Sequence, residues 1–229
     1  MRYAQLEYYI SEPRLNRFLR ACGNSRTQAQ KLYRINIRVS EAFYPILNLF
    51  ETFLRNTIYN EIASAFHDPD WIINEQKGFM SDSSLSRGRF AMKNQVLKIH
   101  HKIILLGGRV TASKLISEQT FGFWTTFFEK AHYKVTKGCS INAFPNKQPN
   151  VNRMILEQKL SRIRILRNRI YHNEPICFRA GNIDFSEAGG VLVDMHDLMN
   201  WINPALSDYA EYFNNIQKKI NQANALLKN

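Results

Sequence analysis

The stretch from Thr27 to Phe66 constrains the fold more than any other part of the chain, because its apolar residues recur at helical spacing. The pattern steps by three and four residues, which places these side chains on one face of a helix. The residues are Val39, Phe43, Ile46 or Leu47, Phe50, Leu54, Ile58 and Ile62. Pro45 is expected to kink or divide the helix, because proline removes an amide donor and clashes one turn back. The segment "HDPDW", His67 to Trp71, is expected to end it.

Helical patterns also cover most of the remaining chain. A helix is expected from Ser86 to Leu106, ending at Gly107-Gly108, because glycine readily adopts the left-handed conformation that terminates helices. Two further helices are expected near Val191–Ile202 and Pro204–Leu227. Strand-like alternation is scarce, so the sequence predicts an all-α fold.

The domain organisation is predicted to be simple. Residues 1–229 are expected to form a single helical domain, since this length suits one large helical unit. Residues 78–89 are polar and rich in glycine and serine, and they are predicted to form a mobile loop.

The charge balance indicates the kind of partner. Lysine and arginine number 31 against 19 aspartate and glutamate, giving a net charge of +12. Such a surplus favours a polyanion, either nucleic acid or an anionic membrane surface, although a merely soluble basic protein is the alternative. No apolar window reaches the length of a membrane span. The three cysteines, Cys22, Cys139 and Cys177, form no paired motif, and a reducing cytoplasm is expected.

Five aromatic residues cluster in the middle of the chain. They are Phe121, Phe123, Trp124, Phe127 and Phe128. Clustered aromatics usually form core, and this is the favoured interpretation. Stacking of RNA bases on these rings is the alternative.

Two similar stretches stand about 112 residues apart in the chain: "LRNTIYNE" from Leu54 to Glu61 and "LRNRIYHNEP" from Leu166 to Pro175. Only the second contains a histidine, His172. Two copies at this distance lack the short fixed period of a repeat protein. The histidine therefore directs attention to the second stretch.

The second stretch ends a predicted basic helix that begins near Val151, with Asn150 or Asn152 as its cap. Its apolar residues step by three and four and predict one buried stripe. The stripe is Leu156, Leu160, Ile163, Leu166 and Ile170. The remaining circumference carries Arg153, Lys159, Arg162, Arg164, Arg167 and Arg169. Of these, Lys159, Arg162, Arg164 and Arg169 are predicted to contact RNA phosphates. A solvated basic face is the alternative.

The end of this helix brings together groups with acid–base chemistry. Pro175 is expected to stop the helix near His172 or Asn173, and Asn173 can take the left-handed terminal position. Asn168 lies four residues before His172 on the same face, and the long Arg167 side chain can swing toward it. An imidazole can move protons at a ribose 2′-hydroxyl or a 5′-oxygen, and a guanidinium can stabilise phosphate charge. A histidine that only caps a carbonyl is the alternative.

The segment "RNRIYH" fits the R-N-x-x-x-H form of the R-x(4–6)-H motif of HEPN ribonucleases. Together with the other matching segments, it resembles the Abi-like, abortive-infection subgroup of that superfamily (AbiD/AbiF type). The matching segments occur in the family's order and span nearly the whole chain: "RLNRFL", "KLYRINIRVSEAFYPILNLFETFLRN", "SEQTFGFW", "AFPN", "LRNRIYHNEPI" and "WINPAL".

The resemblance implies an all-α HEPN-type bundle with additional helices, acting as a homodimer with a composite RNase site. It implies RNA cleavage without a metal or cofactor, leaving 2′,3′-cyclic phosphate ends. It also implies a cytoplasmic bacterial toxin or phage-defence role, sometimes restrained by a small partner RNA. Carried over by position, Arg167 and His172 are the catalytic pair, and Asn168 is the polar residue after the arginine.

The first copy matches an E-x3-RN segment of the subgroup, here Glu51, Arg55 and Asn56. These residues and Tyr171 are expected to support the site: they could line the cleft, or Glu51 could orient Arg167. An ordinary ion pair on a helix is the alternative for Glu51. HEPN toxins silenced by modification carry a tyrosine just after the histidine; this chain has Asn173 there, so that control is not implied.

Other functions remain open at this point. The chain could be a non-catalytic module that holds a small structured RNA, or a regulatory dimer that senses a phage component. A metal-dependent nuclease is disfavoured, because neither His67, Asp68 and Asp70 nor His100-His101 shows a known ligand spacing. The final helix is too polar to favour a membrane anchor.

Overall fold

The structure, a computed structural model, describes residues 2–228 and is built almost entirely of helices. The all-α prediction is confirmed. In chain order the helices are α1 (Tyr3–Ile10), α2 (Glu12–Ala21), α3 (Arg26–Phe66), α4 (Trp71–Asn74), α5 (Ala91–Leu105), α6 (Ala112–Ser117), α7 (Phe121–Thr126), α8 (Lys130–Val135), α9 (Arg153–Tyr171), α10 (Ser186–Ile202), α11 (Pro204–Glu211) and α12 (Ile216–Lys228). Within the described range, no helix is both long enough and apolar enough to cross a bilayer.

Helix α3 is the central element. Its 41 residues extend about 60 Å at 1.5 Å per residue. The Ser25 Oγ accepts the Gln28 N–H at its start, and His67 ends it in a left-handed conformation. The helix continues through Pro45, so the expected division does not occur. Fully buried residues on both sides of the proline hold the helix in place by packing: Phe43, Ile46 and Leu47.

The core forms along the predicted face of α3. Every residue of the predicted α3 stripe is buried, and so is the aromatic cluster at α7 and just after it. Trp71 lies among these rings, with its centroid 6.5 Å from Trp124 and 5.8 Å from Phe127. The interpretation of the aromatic cluster as core is confirmed. These five rings are not available to stack on RNA.

Residues 78–89, predicted as a mobile loop, form two short 3-10 helices at Phe79–Ser81 and Ser83–Gly88. Phe79 and Met80 are buried in the main core. The next two residues, Arg89 and Phe90, both have positive φ and therefore interrupt the helical conformation of the backbone. Helix α5 therefore begins later than the predicted start, and it ends as predicted before the left-handed Gly107.

The C-terminal third departs from the predicted pattern in two places. The helix expected over Pro204–Leu227 is divided into α11 and α12, and the Asn214 Oδ1 accepts the Ile216 N–H where α12 begins. A small antiparallel hairpin, β1 (Phe178–Arg179) and β2 (Asn182–Ile183), follows α9. Its two turn residues both have positive φ, which suits a two-residue hairpin.

The three cysteines are free. Cys139 and Cys177 are buried, and burial raises the pKa of the Cys177 thiol to about 12. A thiol with this pKa is protonated at neutral pH and is therefore a poor nucleophile.

Candidate functional site

The site is centred on the end of α9. The predicted apolar stripe of α9 is buried. At the start of this helix, the Asn152 Oδ1 accepts hydrogen bonds from the N–H groups of Met154 and Ile155. The helix ends at Tyr171, and the His172 N–H still donates to the Asn168 carbonyl at 2.9 Å. The following residue, Asn173, has a φ of +55°, as predicted. The chain therefore turns away directly after the histidine.

The His172 side chain is exposed. Its imidazole makes no hydrogen bond or ion pair with any residue in the range 2–228. The carbonyl-capping alternative is therefore not what the structure shows. Both ring nitrogens are free to contact a ligand or a second protein chain.

The Arg167 side chain is held by three contacts. Its Nε donates to the Glu51 Oε1 at 2.8 Å, and its Nη1 lies 3.4 Å from the Asn168 Oδ1. Its Cζ lies 4.0 Å from the centre of the Tyr171 ring. The expected contact between Glu51 and Arg167 is therefore present, and it joins α3 to α9. The side chains are 22% and 23% exposed, so this pair is better shielded than a surface ion pair.

The Tyr171 ring also contacts the exposed Tyr44 of α3, with the two centroids 5.2 Å apart. Burial and the nearby Glu51 carboxylate raise the pKa of Tyr171, while Arg167 acts to lower it. The phenol is therefore protonated at neutral pH and can donate a hydrogen bond. The two tyrosines extend the site along α3.

Arg55 and Asn56 bind each other at 3.2 Å, from the Arg55 Nε to the Asn56 Oδ1. They line a separate shallow groove of about 430 Å³, shared with Tyr59, Ser113 and Ser117. Among the described residues, neither forms a hydrogen bond or ion pair with Arg167 or His172. The structure thus brings Glu51 of the E-x3-RN segment to the site, but it does not bring Arg55 and Asn56 there.

Three of the four predicted RNA-binding residues form ion pairs with α10. Lys159 donates to Asp194 at 2.8 Å and to Asp197 at 2.7 Å. Burial acts to lower the Lys159 pKa, but the hydrogen bonds to the two aspartates outweigh it and the pKa is raised. Arg162 lies 3.2 Å from the Asp194 carboxylate, and Arg169 lies 3.4 Å from Glu187.

The fourth predicted residue, Arg164, is half-buried, and its Nη1 lies 3.4 Å from the Thr125 Oγ1. The basic face of α9 therefore packs against α7 and α10 and is largely neutralised. Contact of these residues with RNA phosphates stays a prediction, and it would have to compete with these ion pairs.

Cations without a carboxylate partner lie elsewhere. Lys31, Arg34 and Arg38 of α3 form no ion pair with any described residue, and they line a groove of about 400 Å³ beside Leu226. Their spacing of three and four residues places them on one side of α3. That spacing is visible in the sequence, but it does not show which cations lack a carboxylate partner.

Comparison with models of known protein families, with curated proteins and with solved structures finds no match. The described residues contain no group of three or more His, Cys, Asp or Glu side chains that could hold a metal ion.

Replacing Lys159 with methionine is expected to lower the free energy of unfolding by about 2–3 kcal/mol, because the buried Asp194 loses its hydrogen-bonded cation. Urea denaturation measures the change. Lys102→Met is the control, since its pair with Glu118 is exposed and should contribute no more than about 1 kcal/mol. Equal losses in the two variants would contradict the structural role of Lys159.

Glu51→Gln is expected to lower the pKa of Tyr171, because it removes a nearby negative charge while Arg167 remains. A ¹³C NMR titration of labelled tyrosine measures this, with Tyr171→Phe identifying the resonance. Asp208→Asn, which neutralises an exposed carboxylate on α11, is the control and should leave the titration unchanged. A Tyr171 pKa that does not fall in Glu51→Gln would show that the pair is not formed in solution.

Proposed function

We propose that the chain is a metal-independent endoribonuclease of the HEPN type. The observation that carries this proposal is the end of α9, where an exposed His172, which bonds no other side chain among residues 2–228, lies one turn after Asn168. Asn168 in turn contacts an Arg167 that Glu51 holds in place. A proton-transfer group and an oriented cation are the two parts that metal-free phosphodiester cleavage requires.

The reaction is an internal transfer on RNA. The ribose 2′-oxygen attacks the adjacent phosphorus, its proton leaves to a base, and the bond from phosphorus to the 5′-oxygen breaks. The imidazole of His172 takes the first proton or gives a proton to the leaving oxygen. Arg167 stabilises the charge that builds on the phosphate. The products carry a 2′,3′-cyclic phosphate and a 5′-hydroxyl.

One histidine cannot easily serve both proton transfers at once. A second copy of the chain across a two-fold axis would supply a second His172 and a second Arg167. The exposure of His172, Tyr44 and Tyr171 supports this arrangement, since the end of α9 is open to a partner. We propose a homodimer with a composite site.

The setting proposed for this activity rests on the family resemblance. It is the cytoplasm of a bacterium, where the enzyme would act as a toxin or in abortive infection by phage. A small noncoding RNA that restrains the activity before infection belongs to the same proposal.

A second candidate is an RNA-binding module that does not cleave. Lys31, Arg34 and Arg38 favour it: they form no ion pair with any described residue, and clustered cations at this spacing repel one another unless an anion binds them. Binding at this surface is also compatible with cleavage at α9. The two candidates differ in whether the RNA is cut.

His172→Ala is expected to reduce RNA cleavage at least about 100-fold, because the variant lacks the group that moves protons. Purified parent and variant are incubated with total bacterial RNA in excess EDTA, and new ends are mapped. Parent-specific ends bearing cyclic phosphate would support the nuclease.

His101→Ala is the control for that experiment, since His101 is an exposed histidine on α5. It should cleave like the parent. Full activity of His172→Ala would overturn the assignment, and RNA retention without cleavage by the parent would favour the binding module.

Replacing both Arg34 and Arg38 with glutamate is expected to flatten the salt dependence of RNA affinity. On single-stranded RNA, each lost phosphate contact reduces the magnitude of the slope of log K against log salt by about 0.7. The loss of two contacts would therefore reduce it by about 1.4. Fluorescence anisotropy over a salt series measures the slope. The control, Lys98→Glu with Arg109→Glu, changes two exposed cations at and just after α5. An equal effect of the control would show that the α3 cations have no special role.

A further inference from the structure

A groove of about 310 Å³ lies between α3 and the end of α9, where Asn173, the residue after His172, forms part of its lining. Tyr33 and Tyr44 supply aromatic surface, and Asn36, Glu41 and Glu174 supply polar groups. Neither the motif nor the proposed reaction accounts for these residues. The chemistry of the groove indicates what it can bind.

Asn36 is only 5% exposed, and its Oδ1 accepts the Ile176 N–H at 2.8 Å. A backbone N–H can only donate, so this bond fixes which end of the amide faces the backbone. The Nδ2 group at the other end has no acceptor among residues 2–228. Asn36 lines the groove, so a ligand oxygen or ring nitrogen there can accept a hydrogen bond from this amide group.

Glu41 and Glu174 are exposed at the groove, and neither pairs with a cation in the described part of the chain. Ionised carboxylates accept hydrogen bonds and donate none. They repel a phosphate and favour a neutral group that presents N–H donors. The groove therefore suits a nucleobase better than the sugar–phosphate backbone.

The position of Tyr44 joins this groove to the proposed cleavage site. Its ring contacts Tyr171 at 5.2 Å between centroids, and the Arg167 guanidinium lies 4.0 Å from the centre of the Tyr171 ring. A base held against Tyr44 would lie close to a phosphate held by Arg167. Aromatic rings are common stacking surfaces for single-stranded bases.

We propose that this groove binds a guanine base of the RNA strand, next to the phosphate that is cleaved. Guanine presents two neighbouring donors, N1–H and the N2 amino group, which a carboxylate can accept together. Its O6 and N7 are acceptors for the Asn36 amide. Uracil has one ring N–H between two carbonyls, and adenine and cytosine lack the neighbouring donor pair. The placement beside the phosphate rests on the proposed ribonuclease function, whereas the base preference is a property of the groove.

The preference is measured by the affinity of uncleavable hexanucleotides of deoxyuridine with one central dG, dA, dC or dU. Fluorescence anisotropy with the parent protein is expected to show at least about tenfold tighter binding of the dG oligonucleotide. In the double variant Glu41→Gln and Glu174→Gln, the ratio is expected to fall below about twofold. The reason is that each glutamine replaces one acceptor oxygen with a donor.

The matched control is the double variant Asp70→Asn and Asp208→Asn, which removes two exposed negative charges elsewhere. It should bind every oligonucleotide somewhat more tightly and keep the guanine preference. Circular dichroism of all variants checks that the helices are intact. Equal affinities for the four oligonucleotides, a preference for another base, or a preference that survives in the glutamine variant would each overturn the proposal.

The two proposals fail separately. If the parent cleaves total RNA but shows no base preference in binding, the groove assignment is wrong and the ribonuclease remains. If the parent prefers guanine but never cleaves, the groove assignment remains and the ribonuclease is wrong.

Discussion

The contact between Glu51 and Arg167 is the interaction on which the candidate site depends. It links α3 to α9 and sets the guanidinium against Asn168 and Tyr171. Without the carboxylate, a long arginine side chain on an exposed helix end would sample many rotamers, and ordering it would cost conformational entropy. The regions around the two similar "LRN" stretches thus contribute different residues to this contact. The segment beginning at Glu51 supplies the orienting anion, and the second copy supplies the oriented cation and the histidine.

The elements that could be predicted were those that local chemistry determines. The buried stripes of α3 and α9 follow from spacing, the start of α9 from Asn152, and its end from Asn173 and Pro175. The Glu51 contact was also anticipated, but from a family pattern and not from spacing. Two features that the sequence pattern did not predict depend on tertiary packing. It keeps α3 continuous through Pro45 and draws Phe79 into the core.

The cationic residues show why charge alone did not locate a binding surface. Lys159 and Arg169 looked like phosphate ligands because they lie on a basic helix, but their carboxylate partners lie on α10. Those partners follow later in the chain, and only the packing of α9 on α10 brings them close. In the part of the chain that the structure describes, the same fold gives Lys31, Arg34 and Arg38 no carboxylate partner. Pairing, which is a property of the fold, therefore matters more than the net charge of +12.

If the chain acts on RNA as proposed, the unbroken length of α3 has a consequence for the size of that substrate. Arg38 and Glu51 lie on one rigid rod, and the helical rise fixes their separation along its axis at about 20 Å. A strand that contacts both the α3 cations and the Glu51–Arg167 pair must be long enough to bridge that distance. Under the proposed function, α3 would act as a molecular ruler, since fragments too short to bridge this distance could use one end only. The spacing of Arg38 and Glu51 along α3 would then set the smallest RNA that gains from both.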